Sequence, residues 1–357
     1  MLGFSIFFSE AIDSETENYI KKMKAAGFEG VFSSLHIPED DTSTYKEKLQ
    51  TLGNMLKKYQ LNLMVDISTL GLKALGYDIQ SKEDIEAIKA LGITGLRMDY
   101  GISFDVIAQL SQWITVSLNA STLTVEEVAY LKEQGANFSN LELWHNYYPR
   151  VETGLAMETF KQKNELFHHL GLKICAFVPG DHQLRGPLFE GLPTVEDHRY
   201  QAPLVSTVSL LDAGYVSDVY IGDPGIKEAT MTQFFDYFKQ QRVSLKVEVL
   251  DATHERLFIG THTNRVDDAR DVIRSQEARF KELPIIEPHK TLVRTKGSVT
   301  LDNEKYGRYK GELQLTKVDL PLDERVNVVA RVIEEDQALI KVIKPGMSYR
   351  LVNYKGA

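Results

Sequence analysis

The sequence predicts a (β/α)8 barrel followed by a small, mostly antiparallel β domain. Short β-branched or aromatic runs alternate with amphipathic stretches eight times in about 240 residues, the size and repeat number of such a barrel. A doubly wound open sheet is the alternative, but no Gly-rich dinucleotide motif supports it. After Gln241 the alternation gives way to short strands between turn signals. We therefore expect a barrel domain at 1–241 and a β domain at 242–357.

The barrel elements follow from hydrophobic periodicity and from helix-capping residues. The predicted strands are Leu2–Phe8, Gly30–Ser34, Asn62–Ile67, Gly95–Asp99, Ile114–Leu118, Asn140–Trp144, Leu172–Phe177 and Asp218–Ile221. The predicted helices are Ser14–Ala26, Thr42–Tyr59, Lys82–Leu91, Phe104–Ser111, Thr124–Gln134, Ala156–Leu170, Ala202–Ala213 and Thr230–Gln240. Ser14 before Glu17 and Thr124 before Glu127 have the spacing of a capping box, which indicates where two helices begin.

The second domain shows shorter apolar runs with frequent turn residues between them. Its predicted strands are Leu245–Leu250, Leu257–Ile259, Leu292–Arg294, Ser298–Leu301, Gly311–Leu315, Asn327–Val332 and Leu339–Val342. One helix is predicted from about Asp267 to Phe280.

Charge, hydropathy and cysteine content argue against several classes of protein. A formal net charge of −9 disfavours nucleic-acid binding, which needs a basic face. No run of about 18 apolar residues predicts a membrane span, and the N-terminus has the pattern of a first strand rather than of a signal peptide. The single Cys175 excludes a disulfide framework and fits a reducing cytoplasm.

Polar and ionisable residues follow almost every predicted barrel strand. In this fold the active site is built from the carboxyl ends of the strands and the loops after them, so these residues are expected to converge at one mouth. In strand order, the candidates include Glu10, His36, Asp66, Arg97, Asp99, Asn119, Glu142, His145, Asn146, Tyr147, Arg150, Arg185, Glu196, Arg199 and Asp223.

Side-chain alternation suggests how one strand contributes. Arg97 and Asp99 share a face of their strand, and if Leu96 and Met98 face the helices, both charges point into the barrel. An Arg below Asp99 would hold that carboxylate ionised and oriented. A buried structural ion pair is the competing interpretation.

Two further stretches indicate a functional site, and the first of them suits a sugar. In Leu141–Arg150, the His145, Asn146 and Tyr147 side chains suit sugar hydroxyls, and the Trp and Tyr faces suit a pyranose ring. The segment Val178–Arg199 is a long irregular loop rich in Pro, Gly, His, Arg and acids, and such loops are usually functional. The competing interpretations are a structural histidine in the first stretch and a solvated surface loop in the second.

Metal catalysis and nucleophilic serine chemistry are poorly supported. The nine His lack metal-ligand spacing, and neither a nucleophile elbow nor a Walker A loop is present, so no metal and no cofactor is expected. What remains is carboxylate chemistry beside anion-binding Arg and His side chains. Two carboxylates across a sugar ring, one a proton donor and the other a nucleophile or base, are what glycoside hydrolysis needs.

Several long stretches resemble one bacterial protein family, the MupG-like family. The matching stretches are residues 2–10 (LGFSIFFSE), 32–41 (FSSLHIPEDD), 96–101 (LRMDYG), 143–155, 185–199 (RGPLFEGLPTVEDHR), 221–224 (IGDP), 261–279 and 297–315. The resemblance covers essentially the whole chain. It implies a TIM barrel with a cyclophilin-like β domain, and 6-phospho-N-acetylmuramidase activity in the cytoplasm. The implied substrate is a disaccharide of 6-phosphorylated N-acetylmuramic acid and N-acetylglucosamine, cleaved during peptidoglycan recycling.

A substrate with a phosphate and a lactyl carboxylate needs cationic partners. Arg150, Arg185 and Arg199 are the candidates, because guanidinium groups bind either anion in bidentate fashion. Loops after strands seven and eight often hold phosphate in such barrels, which favours Arg185 and Arg199. In the second domain His262 and Arg265 either reach toward a ligand or belong to a turn that caps the predicted helix.

For catalysis the preferred pair is Asp99 as nucleophile or electrostatic stabiliser and Glu196 as general acid/base, with Glu142 and Asp66 in reserve. Retention or inversion depends on a carboxylate separation that a sequence does not contain. A phosphosugar isomerase or aldolase on the same barrel and a non-catalytic phosphosugar-binding protein are the alternatives. The partner expected is a small phosphorylated amino sugar, with no nucleic acid and no membrane; a homo-oligomer is compatible with the sequence.

Overall fold

A computed structural model describes residues 1–9, 11–35, 45–98, 101–213, 215–280 and 283–354. Eight parallel strands in these ranges form a closed barrel in chain order, which confirms the predicted (β/α)8 architecture. The strands are β1 (Leu2–Ser5), β2 (Gly30–Ser34), β3 (Asn62–Asp66), β4 (Gly95–Arg97), β5 (Thr115–Asn119), β6 (Leu141–Trp144), β7 (Lys173–Val178) and β8 (Asp218–Ile221).

Large aromatic side chains fill the barrel interior, and glycines on the facing strands make room for them. A Cβ atom on Gly3 would lie 2.1 Å from Cε1 of Tyr220, and one on Gly30 would lie 2.1 Å from its hydroxyl. The enclosed cluster consists of Phe7, Phe32, Met64, Trp144, Cys175, Phe177, Leu192 and Tyr220. Close packing of this kind closes the barrel below its mouth.

Helices follow the strands with the periodicity that the sequence predicts. They are α1 (Ser14–Ala26), α2 (Tyr45–Tyr59), α3 (Thr69–Ala74), α4 (Lys82–Ala90), α5 (Phe104–Leu110), α6 (Val125–Glu133), α7 (Met157–His169), α8 (Pro203–Asp212) and α9 (Glu228–Gln240). Thr124 and Glu127 form the expected capping box of α6. In α1 the box lies one residue earlier than expected, because Asp13 rather than Ser14 accepts the first amides, those of Glu15 and Thr16.

The described chain divides into two compact units, Met1–Met231 and Thr232–Ala357. The second unit contains one mostly antiparallel sheet in the order β10-β15-β9-β14-β12-β13-β11, in which only β9 and β15 pair in parallel. Its strands are β9 (Arg242–Val249), β10 (Gly260–Thr263), β11 (Val272–Arg274), β12 (Ser298–Asp302), β13 (Leu313–Thr316), β14 (Val326–Val332) and β15 (Ser348–Asn353). The small β domain is therefore confirmed as a fold class.

Several elements predicted in this unit are wrong. The segment expected to be a helix, Asp267–Phe280, contains strand β11 and a 3-10 turn at Glu277–Phe280. Residues expected to form strands at Leu257–Ile259 and Leu339–Val342 belong instead to helix α10 (Glu255–Phe258) and to the 3-10 helix Glu334–Val342. Leu292–Arg294 contributes an isolated bridge between Arg294 and Leu320. In the first case, sheet pairing between β11 and β13 overrides local helix propensity.

Among the residues described, no helix is both long enough and apolar enough to span a bilayer.

Candidate active site

The centre of the candidate site is Arg97, which ends β4 with its side chain inside the barrel. Its Nη1 donates to Oδ1 of Asp66 at 3.2 Å, and its Nη2 donates to the amide oxygen of Asn146. Only 6% of the Arg97 side chain and 15% of the Asp66 side chain are exposed. The strand register explains the pairing, because Asp66 lies directly beside Arg97 where β3 and β4 end. The carboxylate thus lies at the mouth and is oriented from below by a buried guanidinium.

Ser34 adds a hydroxyl beside this ion pair. Its Oγ lies 3.5 Å from Oδ2 of Asp66, on the neighbouring strand β2. Asn119, at the end of β5, is buried, and its side-chain oxygen accepts a hydrogen bond from the backbone of Ser121. The mouth thus combines one described carboxylate with amide and hydroxyl groups.

Arg185 is the second cation at the mouth, and it comes from the loop Val178–Arg199. Its guanidinium carbon lies 4.6 Å from the centre of the Phe7 ring and 5.6 Å from that of Tyr147. Its Nη1 donates to the Tyr147 hydroxyl at 2.6 Å. Within the described ranges no carboxylate is paired with this guanidinium, so most of its five N–H donors remain for an anionic ligand.

Tyr147 is fixed by the aromatic core below it. Its ring makes edge contacts with Phe177 at 5.2 Å and with Phe32 at 6.2 Å between centroids. Burial raises the pKa of the Tyr147 hydroxyl, which therefore stays protonated at neutral pH. Because this hydroxyl accepts from Arg185, its own proton points away from the guanidinium and can be donated to a ligand.

Asp223, predicted as a substrate-binding residue, organises the loop instead. Its carboxylate accepts hydrogen bonds from the backbone amides of Gly180 at 2.8 Å, Arg185 at 3.0 Å and Leu192 at 3.0 Å. The residue is fully buried, and burial raises its pKa despite the three amide donors. Asp223 thereby fixes the backbone position of Arg185.

Glu196 and Arg199, also predicted as site residues, form an ion pair in which Arg199 is buried and Glu196 is partly exposed. Nε and Nη2 of Arg199 each donate to the Glu196 carboxylate at 2.6 Å, and only 1% of the Arg199 side chain is exposed. The remaining guanidinium donors bind backbone carbonyls of Tyr148, Arg150, Glu190 and Gly191. The hydrogen bonds from Arg199 hold the pKa of Glu196 at about 2. A carboxylate this acidic does not suit a proton donor, so we assign the pair a structural role.

Two residues of the Leu141–Arg150 stretch lie away from the mouth. His145 is fully buried against α7, where Nε2 lies 2.7 Å from Oδ1 of Asn164, and burial lowers its pKa to about 4. Glu142 faces inward at the amino-terminal end of the barrel, accepting from Nε1 of Trp144 at 3.0 Å, and burial raises its pKa. It lies away from the mouth because it is the second residue of β6, whose last residue, Trp144, is nearer the mouth.

The other predicted residues fall into three groups. Arg150 is exposed, and its backbone carbonyl accepts a hydrogen bond from Nη2 of Arg199 in the loop. In the second unit His262 is buried between Ser275 and the Phe258 carbonyl, and Arg265 is paired with Asp267 at 2.7 Å. Both therefore serve the packing of that unit. Glu10, His36 and Asp99 lie outside the described residues.

Sequence reasoning missed Phe7 as a site residue. Phe7 lies two positions beyond Ser5, the last residue of β1, and its ring supports the Arg185 guanidinium. The alternation of inward-facing residues Gly3, Ser5 and Phe7 is the signal that identifies it.

Comparisons with known proteins agree with the fold and with the resemblance noted from the sequence. Residues 2–236 match the family model "6-phospho-N-acetylmuramidase, N-terminal", and residues 242–352 match "6-phospho-N-acetylmuramidase, C-terminal". None of the curated proteins compared with the chain matches it.

Two solved structures are similar over the whole chain. A conserved Enterococcus faecalis protein with an unknown function is 49% identical, with 99% of this chain and 97% of that chain covered and a TM-score of 0.91. An uncharacterized B. cereus protein is 25% identical, with 99% of both chains covered and a TM-score of 0.74.

Proposed function

We propose, because this chain belongs to the 6-phospho-N-acetylmuramidase family, that it hydrolyses the bond between 6-phosphorylated N-acetylmuramic acid and N-acetylglucosamine. The family name supports a glycosidase. The observation that carries the specific substrate is Arg185, a guanidinium at the barrel mouth with no carboxylate partner among the described residues.

Arg185 suits the phosphate of this substrate. The loops after strands seven and eight commonly bind phosphate in such barrels, and Arg185 follows β7. Its guanidinium is already oriented by Phe7, Tyr147 and the backbone bond to Asp223, so little side-chain entropy remains to be lost on binding. Tyr147 supplies a second donor beside it.

For the carboxylate chemistry we propose Asp66 together with Asp99. Asp66 lies at the mouth beside the positive charge of Arg97, which stabilises a carboxylate electrostatically during the reaction. Asp99 follows two residues after Arg97 in the sequence and was the first choice from the strand pattern. Asp66 replaces Glu196 as the partner, because Arg199 and two backbone amides hold the pKa of Glu196 at about 2 and tie its carboxylate into the loop.

The reaction is proposed to serve peptidoglycan recycling in the cytoplasm. A disaccharide that carries a sugar phosphate is the product of intracellular phosphorylation or phosphorylating uptake, and a single cysteine fits a reducing compartment.

Incubation with the phosphorylated disaccharide, with release of free N-acetylglucosamine as the readout, tests this proposal. The wild-type protein should cleave it and should cleave the unphosphorylated disaccharide far more slowly. Arg185→Ala should raise KM for the phosphorylated substrate by about tenfold or more, the cost of a lost charge-assisted hydrogen bond. Arg185→Lys keeps the positive charge but not the bidentate geometry of the guanidinium, so it should recover part of the affinity.

Other outcomes would contradict the proposal. Binding of the disaccharide without cleavage would indicate a phosphosugar-binding protein. A rearranged phosphosugar, formed without release of N-acetylglucosamine, would indicate an isomerase or an aldolase.

A further inference from the structure

A cavity of about 750 Å³ lies beside the mouth, between α1 and the loops that follow β1, β7 and β8. Its volume is within the range of about 300–1,000 Å³ that is typical of small-molecule sites. Phe7 is common to the two sites, because it lines the cavity and also carries the Arg185 guanidinium on its ring. A ligand bound at Arg185 can therefore extend directly into this space.

The wall of the cavity is a rigid junction of two loops. The amide of His182 donates to the carbonyl of Gly225 at 3.3 Å, and the amide of Gly225 donates back to the carbonyl of Gln183 at 3.2 Å. A Cβ atom on Gly180 would lie 2.4 Å from the Gly225 carbonyl oxygen, so the two loops approach too closely for a side chain there. This side of the cavity is therefore fixed by backbone contacts between the two loops.

Three of the five Asp, Glu and Lys side chains that line the cavity have partners within the protein. Lys22 is paired with Glu228, and the Asp13 carboxylate caps α1 through the amides of Glu15 and Thr16. Hydroxyl, amide and imidazole groups of Ser9, Asn18, Gln183 and His182 lie beside apolar side chains such as Ile12 and Ile226. This chemistry suits a neutral sugar, whose hydroxyls need hydrogen bonds and whose ring faces need apolar contact.

We propose that this cavity is the subsite for the leaving sugar, a neutral N-acetylated amino sugar, while Arg185 holds the phosphorylated one. The assignment rests on the proposed function. It orients the substrate, with the phosphorylated sugar at Arg185 and the leaving sugar past Phe7, beside α1.

The test compares two substrates and two tryptophan variants of α1. Asn18 lines the cavity, and Lys21 is exposed on the same helix outside it, so Asn18→Trp fills the cavity and Lys21→Trp is the matched control. The substrates are the phosphorylated disaccharide and the glycosyl fluoride of the same phosphosugar, whose leaving group is a single atom.

Asn18→Trp should lower kcat/KM for the disaccharide by about tenfold or more, the equivalent of one or two lost hydrogen bonds. It should leave kcat/KM for the fluoride unchanged, and Lys21→Trp should alter neither. Equal losses on both substrates, or no loss on the disaccharide, would overturn the assignment.

A binding measurement separates this proposal from the proposed function. In ligand-observed NMR, free N-acetylglucosamine should show saturation transfer from the wild-type protein and from Lys21→Trp, but not from Asn18→Trp. No transfer from the wild type, or equal transfer from all three proteins, would refute the subsite. If the wild type cleaved neither substrate, the proposed function would fail. The saturation-transfer measurement would still show whether the cavity binds N-acetylglucosamine.

Discussion

Glu196 accepts hydrogen bonds from Arg199, from the amide of Glu152 and from the amide of Gly154, so its carboxylate ties two loops together. Glu196→Gln would leave the guanidinium of Arg199 buried without its counter-charge. We expect a loss of about 1–3 kcal/mol in the free energy of unfolding at pH 7, with turnover per folded molecule unchanged. Urea denaturation and activity assays at low temperature measure the two effects separately.

The same pair predicts a pH dependence. The folded pKa of Glu196, about 2, is below the value of an unfolded Glu, so its stabilisation is present above about pH 4 and is lost as the pH falls toward 2. The stability difference between wild type and Glu196→Gln should therefore shrink between about pH 4 and pH 2. A variant with wild-type stability and strongly reduced turnover would restore Glu196 as a catalytic residue.

Asp66 and Glu142 are two carboxylates inside one barrel, at opposite ends of it. Asp66→Asn keeps the shape of the side chain but removes the negative charge beside Arg97, and should lower kcat by about a hundredfold or more. Glu142→Gln should leave kcat within about twofold, because Glu142 is enclosed at the amino-terminal end. Steady-state kinetics with the phosphorylated disaccharide measure both. If Glu142→Gln lowered kcat more than Asp66→Asn did, the chemistry would lie at the amino-terminal end of the barrel, contrary to the proposal.

For single residues, the sequence predicts which side chains can reach the barrel mouth, and the fold determines the partners they bind there. The period of two along β4 correctly pointed Arg97 into the barrel, and the loop position of Arg185 correctly brought it to the mouth. No local pattern shows that His145 packs against Asn164, which is on the following helix. The partner of a polar group is a tertiary property, so structural and functional histidines have the same local sequence.

Among the elements, the loop Val178–Arg199 depends on Asp223 of the next βα connection. Asp223→Asn keeps one acceptor oxygen but turns an NH2 donor toward at least one of the three backbone amides, which are themselves donors. We expect the loop to open locally at a cost of about 1–3 kcal/mol, which exposes the backbone at Arg185 to trypsin. Limited proteolysis with mass spectrometry should show early cleavage after Arg185 in this variant and not in the wild type.

Asp197→Asn is the matched control, because Asp197 lies in the same loop with its side chain exposed. It should be cleaved at the wild-type rate. If Asp223→Asn also resisted cleavage, the loop would be held by contacts other than those of its central carboxylate.

The elements of the two units were predictable to different degrees. Barrel strands are buried on both faces and are separated by amphipathic helices, so each βα unit has a long periodic signal. In the second unit the strands are short and pair with distant partners, as β11 pairs with β13. The Asp267–Phe280 segment has polar spacing typical of a helix, yet the bridge between Asn264 and Ser275 folds it into the sheet. Long-range pairing of this kind leaves little trace in a local window.

The chain divides into two compact units, and Asp302 provides a means of perturbing the second. It ends β12 in the second unit, where burial and the neighbouring Glu312 and Asp323 raise its pKa to about 7. An unfolded Asp has a pKa of about 3.9, so folding takes up a proton between these values. The stability of this unit should therefore fall as the pH rises from about 4 to 7 and then remain low.

Asp302→Asn removes this titration and should stabilise the second unit at pH 8 but not near pH 4. Hydrogen exchange with mass spectrometry, comparing variant and wild type at the same pH, measures this in peptides from β12 and β13. Because each unit has its own core, exchange in barrel peptides from β3 to β6 should be unchanged at both values of pH. Equal slowing in both sets of peptides would show that the two units unfold as one. A variant that is less protected at pH 8 would show instead that the Asp302 carboxylate is stabilised in the folded state, contrary to its raised pKa.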